Sequence, residues 1–426
     1  MKETVKIGYI GLGRRGMAVL KNNVAQMADV EIAALCDTYE PCLREASDML
    51  VGMGIPAPRL TADYRDIVND ETIDAVFLMT GWDGRSEIAE ECLRAGKYTA
   101  TEVGCAFSLE ECRRLLEAHR STGAPLMMLE NTCYARRELM ILRLALEGRF
   151  GEIVHCDGGY HHDLCGCELF KDFNPEHPHY RLKSYRERNC EQYPTHELGP
   201  IAKILGIGRG NRMVSLASFA SKSRGLKTAA ARILGADSPY AKADYVQGDI
   251  VTTVITCAGG ETIHLCLDTT LPRPYYSRNL TVRGTEGMFT EDRRILYFEG
   301  MGENVTENEE EMLKKYDHPL FAAYRRDGIE GGHDGADFLV CRAFIEAVKH
   351  RENTPIDTYD TLTLMAVAPL SALSVERGGA PVEFPDFSGG AWQSTVPRCK
   401  SRYSLDCVND AQDMPISPIR KQNIAK

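Results

Sequence analysis

The chain has 426 residues, 43% of them hydrophobic, which is enough for two or three domains with cores of their own. A formal net charge of −11 argues against nucleic acid or an anionic membrane as a partner, and no apolar run is long enough to span a bilayer. The 15 cysteines are scattered without paired C-x-x-C motifs, and no export signal precedes Val5, so reduced thiols in a cytoplasmic protein are expected.

Val5 to Ile10 is an apolar strand, followed at once by Gly11-Leu12-Gly13-Arg14-Arg15-Gly16 and a helical stretch from Met17. This is G-x-G-x-x-G between strand and helix. Gly11 permits the tight turn, Gly13 admits a pyrophosphate to the backbone, and Gly16 lets the helix pack on the strand. The free N–H groups and dipole of the helix N-terminus favour the phosphates. A second strand, Val30 to Cys36, ends at Asp37. That acid lies about 20 residues beyond the last glycine, where a carboxylate accepts from ribose hydroxyls and repels a 2′-phosphate. NAD is therefore the expected cofactor.

The alternation continues with a strand over 73–79, a loop at Thr80 to Gly84 carrying Trp82, and a helix over 86–95. A strand at Tyr98 to Thr101 ends at Glu102, a helix covers 109–119, and a strand over 126–129 ends at Glu130-Asn131. Strand ends line the cofactor crevice of a doubly wound sheet, which adds Trp82, Glu102 and Asn131 to Leu12, Arg14, Arg15 and the three glycines as cofactor residues. Beyond about residue 130 the pattern changes. A helix at 134–148 precedes strand-like runs at 153–160, 212–219, 249–257, 262–268 and 279–283, then helices at 338–349 and 359–376. Strands without intervening helices predict a mostly antiparallel sheet. The fold class is α/β: an N-terminal Rossmann doubly wound parallel sheet, plus a C-terminal α+β domain with a large, mostly antiparallel open sheet. The expected divisions are 1–131 for NAD, 132–392 for substrate and oligomerisation, and 393–426 as a loose arm or a segment packed on a neighbouring subunit. Residues 304–315 read as an acidic, solvated stretch.

Residues 155–200 are dense in His, Tyr, Asp and Arg. Two clusters stand out, Tyr160-His161-His162-Asp163 and Tyr193-Pro194-Thr195-His196. Pro194 disfavours helix before Thr195, which predicts Thr195 as the cap of a helix starting near His196. The positive end of that helix would favour a neutral imidazole, and oxidation of an alcohol needs a base for its hydroxyl proton. Read in isolation, His196 fits a capping or core histidine better than a base. His162-Asp163 fits half of a metal site without a third ligand, so no metal is expected. Arg181, Arg186 and Arg188 fit either a solvated face or a set that holds a polar substrate.

With these motifs in place, the chain resembles the Gfo/Idh/MocA oxidoreductase superfamily and, more narrowly, glycoside hydrolase family 109, NAD-dependent α-N-acetylgalactosaminidases. The carriers are Gly11–Gly16, Thr101-Glu102-Val103, the 129–134 segment, Gly151–His155, Tyr160–Leu164, Tyr193–His196, Asp268–Tyr275, Gly332–Phe338 and Pro385-Asp386-Phe387. Dehydrogenases of the superfamily carry Glu-Lys-Pro where this chain has Glu102-Val103-Gly104; the hydrolase branch shares the loss of the lysine. The resemblance implies a closed redox loop on a small carbohydrate or glycoside. Sugar C3 is oxidised with bound NAD, the C2 proton is removed, the C1 group leaves, water adds, and C3 is reduced again. It implies His196 and Tyr193 as the proton-transfer groups, with Tyr160 and His162 behind them. Asp163, Arg181, Arg188 and Thr195 are the expected substrate contacts, and a homo-oligomer is expected. The chain departs from the pattern at Glu197, Arg85, Asn189–Gln192 and Cys165, around the places where sugar and aglycone bind. Two other readings stay open: a net sugar or cyclitol dehydrogenase, and a non-catalytic sugar- or NAD-sensing protein.

Overall fold

Residues 2–104, 106–302, 309–409 and 415–420 are described by the structure, a computed structural model. The apolar runs near the N-terminus pair as six parallel strands: β1 (Val5–Ile10), β2 (Val30–Cys36), β3 (Arg59–Thr61), β4 (Ala75–Leu78), β5 (Tyr98–Thr101) and β6 (Leu126–Met128). Their order is β3-β2-β1-β4-β5-β6, a doubly wound sheet whose strand order reverses next to β1. The central strand β4 is buried at every residue, as a strand with helices on both faces must be.

The second sheet has eight strands: β7 (Ile153–His161), β8 (Met213–Ala220), β9 (Ile250–Cys257), β10 (Thr262–Asp268), β11 (Thr281–Gly284), β12 (Gly287–Thr290), β13 (Ile295–Phe298) and β14 (Val382–Glu383). They run β13-β12-β11-β7-β10-β9-β8-β14, with β7 and β10 parallel and the remaining pairs antiparallel. β9 alternates buried and more accessible residues, so one face of this sheet packs on the core and the other stays open. The end of β7 carries Tyr160 and His161 toward the first sheet's strand ends, and the helix Thr195–Ile204 packs across β7. No helix among the described residues is long and apolar enough to cross a membrane.

Several expectations need correction. The predicted helix over 359–376 is two helices, Thr358–Met365 and Val367–Glu376. Pro369 has no N–H for the carbonyl of Met365, so the ladder breaks there. The short edge strands β3 and β14 left too few residues for a periodic signal. Of the acidic stretch, 304–308 lie outside the described residues, and Glu309–Lys315 is a helix that buries only Met312 and otherwise stays solvated. The tail is no loose arm in its described part. Tyr134 donates to the Tyr403 carbonyl (2.9 Å), the Tyr403 hydroxyl to the Ile416 carbonyl (2.6 Å), and Ile419 bridges to Met27. Its buried residues Tyr403, Leu405 and Ile416 are the apolar anchors that composition alone concealed. Residues 410–414 and 421–426 of that tail lie outside the described residues.

Candidate active site

The helix Thr195–Ile204 brings the second motif to the first domain. Pro194 is itself the N-cap, with φ −76° and ψ −18°, and no side chain caps the helix. Its fixed φ suits a helix start, so Thr195 becomes the first helical residue rather than the cap. Thr195 is fully buried and does not line the cavity described below.

His196 stands between two partners. Its Nδ1 lies 2.7 Å from Glu130 Oε1, and its Nε2 lies 3.3 Å from the Tyr193 hydroxyl. Glu130 follows β6, is wholly buried, and also accepts from the Thr132 hydroxyl at 2.8 Å. Burial pushes its carboxyl up, but His196 and the surrounding donors outweigh that and hold it below its ordinary value. The result is a charged carboxylate fixed against an imidazole. The helix terminus is thus one of two opposing fields on this ring, and the sequence reading saw only that one. Tyr160 closes the group, with its ring 4.6 Å from Tyr193 and 5.7 Å from His196. Its hydroxyl lies 3.1 Å from His162 Nδ1. Burial raises the Tyr160 and Tyr193 phenols and lowers His162, which keeps that ring neutral at neutral pH. Tyr160, His162, His196 and Tyr276 line one end of a cavity of about 890 Å³ that also touches Asn131 and Thr132.

Arg181 lies behind this group, 5% exposed. Its guanidinium sits over Tyr193 at 4.3 Å, Trp82 at 5.4 Å, Tyr160 at 5.9 Å and Tyr180 at 6.0 Å. Among the described residues no carboxylate reaches it within 4.0 Å. A buried cation held only by rings and hydroxyls is suited to the oxygens of a bound molecule.

On the first domain, Gly11 has φ +98°, and a Cβ there would come 2.7 Å from the Met79 carbonyl carbon. A Cβ on Gly16 would meet the Gly11 carbonyl oxygen at 2.2 Å, whereas one on Gly13 would stand in open space. The helix Arg14–Asn22 begins there with no side-chain cap, so its first N–H groups face that space. Asp37 accepts from the Leu12 N–H (2.7 Å) and the Tyr39 N–H (2.8 Å). An open anion cradle beside a fixed carboxylate fits a dinucleotide. Arg14 is exposed beside this loop. Arg15 makes a two-point pair with Asp337 (2.7 and 2.8 Å) and reaches Glu102 at 3.2 Å; Asn131 also donates to Asp337 at 2.7 Å. Asp337, which sequence reasoning placed only within a motif, ties two expected cofactor residues, Arg15 and Asn131, together.

Val103 is 5% exposed, so the position of the missing lysine is sealed with an apolar side chain. Arg85 donates to the carbonyls of Glu102 (2.7 Å) and Val103 (2.8 Å), fixing that strand end. The Trp82 indole lies over Gly104, where a Cβ would come 2.4 Å from Nε1 and where φ is +144°. Only glycine admits this approach.

Two expected substrate contacts stand elsewhere. Asp163 accepts from the Cys165 N–H at 3.0 Å and closes a local turn. Arg188 lines a different cavity, beyond Trp82. Among the described residues no three His, Cys, Asp or Glu side chains converge on a metal position.

Residues 5–130 match the oxidoreductase family with an NAD-binding Rossmann fold, and residues 134–394 match the glycosyl hydrolase 109 C-terminal domain. A glycosyl hydrolase family 109 protein of Stenotrophomonas maltophilia is 37% identical over 416 residues, covering 92% of this chain and 91% of that one. An alpha-N-acetylgalactosaminidase of Tannerella forsythia is 35% identical, covering 92% and 88%. A levoglucosan dehydrogenase solved with NADH and L-sorbose shares the fold with TM-score 0.66 at 20% identity, covering 91% of this chain and all of that one. An NAD-binding oxidoreductase of Klebsiella pneumoniae does so with TM-score 0.70 at 16% identity, covering 90% of this chain and all of that one.

Proposed function

Because the chain belongs to glycosyl hydrolase family 109, whose members are enzymes built on the NAD-binding Gfo/Idh/MocA fold, we propose that it cleaves glycosides by a redox-assisted elimination and addition. The substrate class is α-N-acetylgalactosaminides or related glycosides, the activity named for the Tannerella relative. The observation that carries this reading is the Glu130–His196–Tyr193 relay, whose His196 opens on the cavity, together with the buried apolar Val103 in place of a lysine.

Gly11–Gly16 and Asp37 would hold NAD, which when bound would supply reversible oxidation at sugar C3. The protein supplies positions and protons. His196 Nε2 and the Tyr193 hydroxyl handle the protons at the C3 hydroxyl and at C2. Glu130 fixes the imidazole orientation through Nδ1 and stabilises its protonated form, the role a carboxylate takes in a catalytic triad. Tyr160 and His162 form a second proton-exchanging pair on the same wall. Arg181 holds sugar oxygens. The ketone at C3 acidifies C2, so departure of the C1 group needs no pair of carboxylates flanking the glycosidic bond. In this reading 1–131 binds NAD, 132–392 binds substrate and forms a homo-oligomer, and the enzyme is cytoplasmic.

The test is a panel of α- and β-nitrophenyl glycosides, including the N-acetylgalactosaminide, run in heavy water. Sugar release with deuterium at C2 and no net NADH is expected. Net NADH with an intact glycosidic bond would identify a dehydrogenase instead.

A further inference from the structure

The segment that leads into Tyr193 has a second side. Beyond Trp82 lies a separate cavity of about 610 Å³, and it shares no lining residue with the His196 cavity. Its size suits a small organic ligand. Phe107, Val246, Ala368, Pro369, Ala372 and Val375 give it an apolar lining. Among the described residues one cation lines it, Arg188. The guanidinium carbon lies 3.0 Å from the Phe107 ring centroid, and Nη1 is buried with no hydrogen-bond partner among the described residues. Among the described residues no carboxylate reaches Arg188 within ion-pair distance, and burial draws its pKa down.

Arg188 is half-buried; two arginines with more deeply buried side chains are paired with acids. Arg342 meets Asp29 and Glu346, and Arg209 meets Asp357, Asp360 and Asp406. A guanidinium N–H taken out of water without an acceptor is costly, so Arg188 Nη1 is a donor left over for a group that the described residues do not provide. Glu187 and Glu376 stand at the rim, both exposed, where solvent screens them. Trp82 separates the two cavities: its indole faces Arg181 and lies 6.2 Å from the Tyr193 ring.

We propose that this cleft is a second ligand site, which takes a small monocarboxylate with an apolar body. The carboxylate pairs with Arg188, and the body packs on Phe107, Val246, Ala368 and Ala372. This site stands apart from the glycosidase reading and is tested by binding alone.

Phenylacetate is titrated into the intact protein by calorimetry, with phenylacetamide as the uncharged match. One-to-one binding is expected, about tenfold or more tighter for the acid, and a tenfold loss is about 1.4 kcal/mol. Arg188→Gln and Ala372→Phe, each checked for an unchanged melting curve, should weaken it by about tenfold. Arg181→Met should leave it unaltered. In a Trp392→Phe background, phenylacetate should change the emission of Trp82, then the lone tryptophan. Lack of saturable binding up to roughly 10 mM overturns the proposal. So does equal affinity in Arg188→Gln, or a loss confined to Arg181→Met, which would put the anion in the His196 cavity.

Discussion

The helix Thr195–Ile204 has a differently constituted charge cluster at each end. At its C-terminal end Lys203 meets Asp360 at 2.7 Å and Asp406 at 3.3 Å, Arg209 meets Asp406 at 2.9 Å, and Arg398 meets Asp357 at 3.0 Å. Every cation there has its acid. At the N-terminal end Glu130 has His196, but Arg181 has only aromatic rings and hydroxyls around it. Both clusters are buried, so burial does not separate anchor from site; completeness of pairing does. A closed ionic network holds chain segments together and has nothing left to offer a ligand. An open one retains capacity that only a bound molecule satisfies.

His196→Ala tests the open end hardest. Turnover should fall by about 10²- to 10⁴-fold, the contribution of a positioned acid–base group. NAD retention, read from absorbance after gel filtration, should be unchanged. Turnover close to that of the parent would favour a sensing protein. At the closed end, Asp360→Ala should cost about 3–5 kcal/mol in urea melts, because Lys203 and Arg209 keep charges they can no longer fully pair. There pH has a definite sign. Burial pushes the Asp360 carboxyl up, but Arg209 and Lys203 outweigh it and hold it below the ordinary value. A depressed carboxylate contributes stability at neutral pH, and that contribution is lost as pH falls through the unfolded value of about 3.9 and below. The parent should therefore lose more stability than Asp360→Asn between about pH 6 and about pH 3. The smallest effect tells the two ends apart most directly. Arg181→Met should lower kcat/KM by about 10- to 100-fold, as for a lost hydrogen bond to a charged group. Yet it should raise stability by about 1 kcal/mol, since an apolar side chain replaces an unpaired cation. A large loss of stability would mean that Arg181 serves as an anchor after all.

Local signals carried much of this molecule. The glycine loop, the strand-end acids and the switch from helix–strand alternation to consecutive strands each occupy a short window. They correspond to the parallel sheet, the cofactor groove and the open sheet. Tyr160 with His162 and Tyr193 with His196 sit two and three residues apart, so each pair was legible. That the two pairs meet, Tyr160 against Tyr193 and His196, follows from β7 and the helix packing together. What sequence could not supply were partners far along the chain. Glu130 reaches His196 across 66 residues, and Asp337 reaches Arg15 across 322. The nearest sign of Glu130 was its place at the end of a buried strand. The setting of Arg188 was hidden for the same kind of reason: seven residues past Arg181, beyond the end of its helix, it lines the other cavity, with Trp82. Asp163 looked like half of a ligand pair because short acids beside histidine serve turns as readily as metals.

The seam between the first domain and the tail also has a consequence for synthesis. Arg420 donates to the Val30 carbonyl and Pro418 accepts from the Ala28 N–H at 2.7 Å, while Ile416 ties the tail to the second domain by donating to Asp327 at 2.6 Å. Val30 is among the earliest residues to leave the ribosome, and Arg420 follows 390 residues later. At roughly 5–20 residues per second, the margin of β2 waits some tens of seconds for the segment that covers it. A nascent chain thus passes through a stage with its first sheet formed and its second domain growing, while one flank of the nucleotide fold is bare. A chaperone or a premature release would act in that interval.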